Sequence, residues 1–210
     1  MSLKSVFHVF CLSLALAKVY PYCCSVHKFE ATLEITGAII NSLTNSMVTI
    51  SGYAQLYYDY DGQRMRLNSH IMQPDGSYRN STTINLYSTN TQYTIEGAHQ
   101  CTKFHLNDTV RSPCVPDGAT SLVNSTIGSG QHTLAVQFYL FYDAVTGQQN
   151  KLVVTANDCT PVELTVQGVI DGVDQIYTYT FTRVTPGIRD NKAFELETSC
   201  LTSHGPPVVG

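Results

Sequence analysis

The sequence predicts an all-β protein, built either from two antiparallel sheets packed together or from one sheet curled into a partial barrel. The first observation is the low charge: Asp, Glu, Lys and Arg make up 13% of the chain, against the ~25% typical of soluble domains. The second is that Thr, Ser, Asn, Gln and 13 Tyr supply the polarity, and the hydroxyl and aromatic side chains among them favour pleated strands. The third is an alternation of apolar residues along several segments, which is the pattern of half-buried strands.

Residues 57–71 form the clearest predicted element, a β-hairpin. Apolar residues alternate along residues 48–60, the turn pair Asp61-Gly62 follows, and the alternation resumes at Met65. An Asp-Gly pair between two alternating segments is among the strongest short hairpin signals. Further short strands are expected near residues 84–86 and 93–95.

The second half of the chain predicts a long loop and then more strands. Residues 107–131 hold two prolines, three glycines and Cys114, so we interpret them as a loop pinned by a disulfide. Residues 133–142 are apolar at nearly every position, and such a strand must be covered on both faces. Residues 175–184 alternate aromatic and threonine side chains. Strands are also expected at residues 152–155 and 162–170.

The N-terminus predicts export. Lys4 precedes an apolar run that ends with the small-x-small pattern of residues 15–17, and this order is typical of a secretory signal peptide cleaved after Ala17. The run is shorter than the ~20 apolar residues that span a bilayer. We therefore expect residues 1–17 to be a signal peptide and residues 18–210 to be a single secreted, extracellular domain. The alternative is a buried N-terminal strand or helix.

The cysteines outside this leader form an even set, as full disulfide pairing in an oxidising compartment requires. Their spacing does not choose among the possible connectivities, although a bond between the adjacent Cys23 and Cys24 would be strained. The six are Cys23, Cys24, Cys101, Cys114, Cys159 and Cys200.

Three sequons for N-glycosylation begin at Asn80, Asn107 and Asn124. Each lies in a polar segment that the sequence predicts to be turn-like, and turns stay at the surface. We expect a glycan on Asn124, and also on Asn80 and Asn107.

Charge and hydropathy exclude two classes of partner. The formal net charge is −4 and the chain has no basic run, whereas nucleic-acid binding depends on clustered Lys and Arg. No second apolar stretch reaches membrane-spanning length, so the mature protein is not expected to span a membrane.

Motifs for catalysis or cofactor binding are absent from the sequence. It contains no Gly-x-Ser-x-Gly elbow, zinc-binding helix or phosphate loop, and its histidines lack metal-ligand spacing. His105 could form an acid–base pair with Glu96 or Asp108, but any β protein offers such pairs. Asp59-Tyr60-Asp61-Gly62 has the start of a calcium loop without its final Glu, so we interpret it as the hairpin turn. No catalytic residue and no required cofactor are predicted.

Several short motifs follow one another along the chain and span nearly all of residues 18–210. They are Cys23-Cys24-Ser25-Val26-His27-Lys28-Phe29-Glu30-Ala31, Tyr58-Asp59-Tyr60-Asp61-Gly62-Gln63-Arg64-Met65-Arg66, Cys101-Thr102-Lys103-Phe104, Asn124-Ser125-Thr126 and Asn157-Asp158-Cys159-Thr160-Pro161-Val162, followed by Cys200. In sequence and order, these motifs resemble those of the ependymin-related proteins. The sequence departs from that family's pattern at Val26, where proline is usual, at Phe29, where tryptophan is common, and at Cys114, where no cysteine is expected.

The resemblance implies a secreted, glycosylated ependymin-like β domain over residues 18–210. Its fold would be two stacked, curved antiparallel sheets that form a partial barrel around an apolar cavity, and such proteins are often homodimers. The resemblance also implies Ca²⁺ binding and cell–matrix adhesion, although no calcium ligand carries over to this sequence. It further implies that Cys101 pairs with Cys200, that Cys159 pairs with Cys23 or Cys24, and that Cys114 takes the remaining cysteine.

The leading functional hypothesis is a non-enzymatic protein that holds an apolar, lipid-like small molecule in its cavity. The strands at residues 133–142 and 175–184 carry a surplus of aromatic side chains, although such rows often pack simply as a sandwich core. A second hypothesis is an adhesion factor that binds extracellular-matrix components, and a remote one is a secreted hydrolase. The sequence leaves the choice of strand face open by one residue. The candidate lining residues are Val136, Phe138, Leu140, Tyr179 and Phe181.

Overall fold

The computed structural model describes residues 23–41, 46–73, 75–97, 100–144, 146–170 and 173–201, so the expected signal peptide lies outside the described residues. These residues form eleven β-strands, a turn of 3₁₀ helix at Tyr87–Thr89 and a short helix α1 at Thr198–Leu201. The strands are β1 Lys28–Asn41, β2 Ser46–Asp59, β3 Arg64–Met72, β4 Tyr78–Leu86, β5 Thr91–Glu96, β6 Gln100–His105, β7 Thr120–Ser129, β8 His132–Asp143, β9 Gln148–Thr155, β10 Pro161–Ile170 and β11 Val173–Pro186.

The strands join into one antiparallel sheet in the order β6-β5-β4-β3-β2-β1-β11-β10-β9-β8-β7. The prediction of an all-β antiparallel fold is confirmed. The strands belong to a single continuous sheet rather than to two separate stacked sheets, because β1 and β11 pair from Phe29↔Pro186 to Ile40↔Asp174. The first and last strands therefore lie side by side in the middle, and β6 and β7 form the two edges.

The predicted hairpin is present as β2 and β3, which pair from Ser51↔Met72 to Asp59↔Arg64. Asp59 closes its turn and is 1% exposed. The backbone N–H of Gly62 donates to Asp59 Oδ1 at 2.9 Å, and Arg64 Nε donates to Oδ2 at 2.9 Å. The Lys28 ammonium lies 3.2 Å from Oδ1. This carboxylate is thus engaged by the turn itself and by cations on both neighbouring strands.

Acid is expected to weaken this turn. Burial alone would raise the pKa of Asp59, but the hydrogen bonds from Gly62 and Arg64 and the charge of Lys28 outweigh it and hold the pKa below its usual value. A lowered folded pKa means that the stabilisation is complete above the ordinary Asp pKa of about 3.9 and is lost as the pH falls through the folded value.

We therefore expect Asp59→Asn to lower the melting temperature at neutral pH, and the gap from the unsubstituted protein to shrink at about pH 2–3. Thermal unfolding followed by circular dichroism at the two pH values measures the gap. A gap of the same size in acid would show that ionisation of Asp59 does not stabilise the fold.

The prediction of a loop throughout residues 107–131 is wrong for its second half, because Thr120–Ser129 form the edge strand β7. The side chains of β7 are exposed along its whole length. A strand that is solvated on both faces carries no alternation of apolar and polar residues, and its Ser, Thr and Asn content resembles that of a loop. Residues 106–119, which we call the strap, are the part that is irregular.

The two faces of the sheet are covered by different segments. Directly paired residues point to the same face, so the strand register assigns each side chain to one of them. The core face carries Leu33, Ile35, Leu56 and Tyr179. The outer face carries Thr32, Glu34, Gln55, Asn68 and His70. The strap lies over the core face, since its Val110 belongs to the buried cluster there.

The C-terminal segment, residues 187–201, covers part of the outer face. Arg66 Nη1 donates to the Ala193 carbonyl oxygen at 2.9 Å, and the Arg64 guanidinium lies 4.3 Å from the centre of the Phe194 ring. The Cys101–Cys200 disulfide ties the end of this segment to β6. The sheet is therefore held between two irregular segments, one on each face.

Candidate ligand-binding face

The strap connects the two edge strands and crosses the core face between them. Tyr58 on β2 donates its hydroxyl hydrogen to the Arg111 carbonyl oxygen at 2.5 Å. Arg111 Nη2 forms an ion pair with Asp143 Oδ2 on β8 at 3.0 Å. Burial raises the pKa of Tyr58, so this hydroxyl keeps its proton at neutral pH and can donate. The strap is thus fastened to both halves of the sheet.

The disulfides hold the strap and the start of the chain together. Cys24 is bonded to Cys114 and Cys23 to Cys159, while Cys101 is bonded to Cys200. This is the arrangement that the family resemblance implies, with Cys23 rather than Cys24 as the partner of Cys159. Backbone hydrogen bonds join the same segments: Ser25 N–H donates to the Pro113 carbonyl, and Val115 N–H donates to the Cys23 carbonyl.

Away from the strap, the core face presents two rows of apolar side chains across β8, β9, β10 and β11. Most of these side chains are only partly buried, whereas Leu33 and Ile35 are buried beside them. Apolar side chains that remain partly exposed commonly line the clefts in which proteins bind ligands. The rows are Tyr139–Leu152–Leu164–Tyr179 and Phe141–Asn150–Val166–Tyr177.

Gly37 makes room for one ring of these rows. It pairs directly with Tyr177, and a Cβ atom at Gly37 would lie 2.7 Å from the Tyr177 ring and 2.6 Å from the Ile176 carbonyl oxygen. Real Cβ atoms do not approach other atoms so closely, so the Tyr177 ring occupies space that only a glycine at residue 37 leaves free. Burial raises the pKa of both Tyr177 and Tyr179.

Asn150 places one polar group among these apolar side chains. It is fully buried, and its Nδ2 donates to the Gln148 carbonyl at 3.3 Å. Among the described residues, no group donates to its Oδ1. A buried acceptor without a donor is costly unless a ligand or water satisfies it.

The structure does not bring the five predicted lining residues to one face. Tyr179 and Phe181 lie on the core face, opposite Ile35 and Leu33. Phe138 pairs with Val153, which pairs with Glu163, and this row belongs to the outer face together with Val136 and Leu140. The prediction for β8 is displaced by one residue, since Tyr139 and Phe141 are the side chains that share the face of Tyr179.

The structure places the three sequons in different surroundings. Asn107 lies in the strap, but Asn80 lies in β4 and Asn124 in β7. All three are exposed. The prediction of turn-like surroundings is therefore wrong for Asn80 and Asn124, while glycosylation of the three stays a prediction.

The possible acid–base pair of the sequence does not assemble with Glu96. In the β5–β6 register Glu96 is opposite Gln100, whereas His105 is opposite Thr91 at the other end of the pair. His105 and Asp108 line a small groove of about 300 Å³. The carboxylates of the suspected calcium loop are engaged elsewhere: Asp59 with Arg64, and Asp61 with His27 at 2.9 Å.

Within the described part of the chain, no three His, Cys, Asp or Glu side chains come together in a group that could hold a metal ion. The partly exposed apolar rows of the core face are the candidate site.

A family model for ependymin matches residues 76–200 of this chain. The chain belongs to the ependymin family. The match covers β4 to α1, including the strap, the rows of the core face and four of the six cysteines in the disulfides. Ependymin-related protein 1 of Haliotis asinina is 27% identical over 188 residues, which is 85% of this chain and 90% of that protein.

The fold of this ependymin-family chain also occurs in a distant bacterial protein. An uncharacterized conserved protein from Thermus thermophilus superimposes with a TM-score of 0.51 at 8% sequence identity, over 82% of this chain and 87% of that one. At such low identity the likeness concerns the fold alone.

Proposed function

We propose that this protein is a secreted, non-enzymatic carrier of the ependymin type, which binds a lipid-like molecule on the part of its core face that the strap leaves open. The observation that carries the proposal is the pair of apolar rows across β8–β11, which remain partly exposed although they adjoin the buried core. Three disulfides support an extracellular location, because such bonds persist in oxidising compartments. Within the described residues, no helix is long and apolar enough to cross a membrane.

The chemistry of the face indicates which ligands fit. Aromatic and aliphatic side chains favour an acyl chain or another flat apolar group, and a site of this kind needs only a few polar groups to orient its ligand. The Asn150 Oδ1 atom is an acceptor in the row of Val166 and Tyr177.

We expect Val166→Asp to weaken the binding of a fluorescent fatty acid about tenfold or more. The acyl chain would have to bury the carboxylate introduced at residue 166, or leave that carboxylate in contact with water, and burying it is costly. Titration of the secreted, delipidated protein measures the dissociation constant. Val169→Asp is the matched control, since Val169 lies on the same strand but on the outer face and is exposed.

Phe138→Asp provides a second control on the outer face, and it should leave the dissociation constant unchanged if the protein folds. Equal losses from Val166→Asp and Val169→Asp would remove the core face as the site. Failure of the delipidated, folded protein to bind any apolar probe would remove the carrier function itself.

The edge of the sheet supports one further family expectation, the homodimer. Val123 and Ile127 on β7 and Leu134 on β8 are exposed apolar side chains, and they share the outer face. Grouped apolar side chains at a surface commonly mark an interface. Binding to matrix components and to Ca²⁺ stays an expectation from the family.

A further inference from the structure

The outer face carries a groove beside a ladder of exposed aromatic rings. The groove has a volume of about 1310 Å³, and Tyr53 and His70 contribute to its lining. The ring centres of Tyr53 and His70 are 4.9 Å apart, and Tyr78 stacks on His70 at 4.3 Å. Tyr53 and Tyr78 remain 54% and 58% exposed. The rings on three neighbouring strands thus stack on one another, and the two outer members of the stack, Tyr53 and Tyr78, stay open to the solvent.

Asn80, the first residue of a sequon, lies next to this ladder. Tyr78 and Asn80 are two residues apart in β4, so both side chains point to the outer face. Across the strand pair Asn80 is directly opposite His70, and the His70 ring is hydrogen-bonded through Nδ1 to Asn80 Oδ1. Because the amide oxygen accepts this bond, the amide nitrogen, to which an N-linked sugar is attached, points away from His70.

The lining of the groove suits a sugar chemically. The faces of a sugar ring carry C–H groups with partial positive charge, which pack against the negative face of an aromatic ring. Its rim carries hydroxyl groups, which hydroxyl and amide side chains can bind as donors or acceptors. The polar side chains that line the groove beside the ladder include Thr32, Ser51, Gln55, Asn68 and Thr82.

We propose that Asn80 carries an N-linked glycan whose first sugar rings lie in this groove against the ladder of Tyr78, His70 and Tyr53. The glycan covers aromatic surface that the protein leaves exposed, and the hydrogen bond from His70 orients its attachment. Asn124 has no such ladder, since it is opposite Gln137 and follows Leu122 by two residues. This proposal rests on the proposed function, because an N-linked glycan is expected only if the protein is secreted.

The experiment is a thermal double-mutant cycle on protein secreted from animal cells. Tyr78→Ala is combined with loss of the glycan, obtained in two ways, by Asn80→Gln and by Thr82→Val. We expect Tyr78→Ala to lower the melting temperature by about 2–4 °C more when the glycan is present than when it is absent. Trimming the glycan to its first sugar with an endoglycosidase should preserve this difference.

Two matched controls isolate the contact. Asn124→Gln removes a glycan away from the ladder and should leave the effect of Tyr78→Ala unchanged. Tyr142→Ala removes an exposed tyrosine from β8 and should lower the melting temperature equally with and without the Asn80 glycan. As a direct measurement, ring currents should shift the N-acetyl protons of the first sugar upfield in NMR spectra, and Tyr78→Ala should abolish the shift.

Three results would overturn the proposal. The first is an unmodified Asn80 in protein whose Asn124 carries a glycan, which would count against the groove and not against secretion. The second is strictly additive effects of Tyr78→Ala and glycan loss. The third is binding of a free oligosaccharide at the ladder of fully glycosylated protein, since the groove would then be open to another molecule's sugar.

Discussion

Replacement of both Cys24 and Cys114 by serine is expected to lower the free energy of unfolding by about 2–4 kcal/mol, because the bond restricts the unfolded chain. The two cysteines are 90 residues apart in the sequence. Their bond also fixes the strap to the start of the chain, next to the hydrogen bond from Val115 N–H to the Cys23 carbonyl. Denaturant unfolding of the purified variant under non-reducing conditions measures the loss.

The Cys101→Ser, Cys200→Ser variant is the control, because its bond spans 99 residues and its removal should cost a similar free energy. Hydrogen exchange separates the two. The amides of Ser25 and Val115 should exchange faster only in the variant that lacks the Cys24–Cys114 bond. Equal protection of these amides in both variants would mean that the strap is held without its disulfide.

Truncation of Ile35 to alanine is expected to lower the free energy of unfolding by about 2–5 kcal/mol, since it removes buried methyl groups and leaves a cavity. Ile35 is 6% exposed and is opposite Tyr179 on one side and Gly52 on the other. Chemical denaturation measures the change, and an unaltered slope with denaturant would show that both proteins unfold in the same way.

Ile40→Ala is the matched control, because it makes the same chemical change in the same strand at a residue that is 42% exposed. Its expected cost is within about 0.5 kcal/mol. Similar losses of unfolding free energy from the two variants would show that Ile35 does not lie in the core of the protein.

Local signals predicted the hairpin of β2 and β3, and non-local pairing decided what the sequence could not. An Asp61-Gly62 pair between alternating segments is complete within one window of the chain. Residues 133–142, in contrast, are apolar at nearly every position, so periodicity could not tell Phe138 from Tyr139 as the side chain on the core face. The register with β9 and β10 makes that choice.

The aromatic ladder likewise depends on strand pairing between distant segments, which the sequence alone does not reveal. Tyr53, His70 and Tyr78 are far apart in the sequence, and only the register of three strands brings their rings together. One local signal was available: Tyr78 precedes Asn80 by two residues, so a strand at this point would have put the ring and the sequon side by side. Because a turn was predicted around Asn80 instead of a strand, the proximity of Tyr78 to the sequon was not predicted.

The pairing of the first strand with the last sets the order in which this chain can fold. Strands β1–β6 and β7–β11 are two series of neighbouring hairpins, and each can assemble from contacts that are short-range in sequence. Their junction is not short-range, since Thr182 Oγ1 donates to the Thr32 carbonyl from 150 residues away. Until β11 is synthesised, β1 is an unpaired edge that a second nascent chain could join. Docking of β11 onto β1 is therefore expected to be the slow step of folding, and it removes two open edges at once.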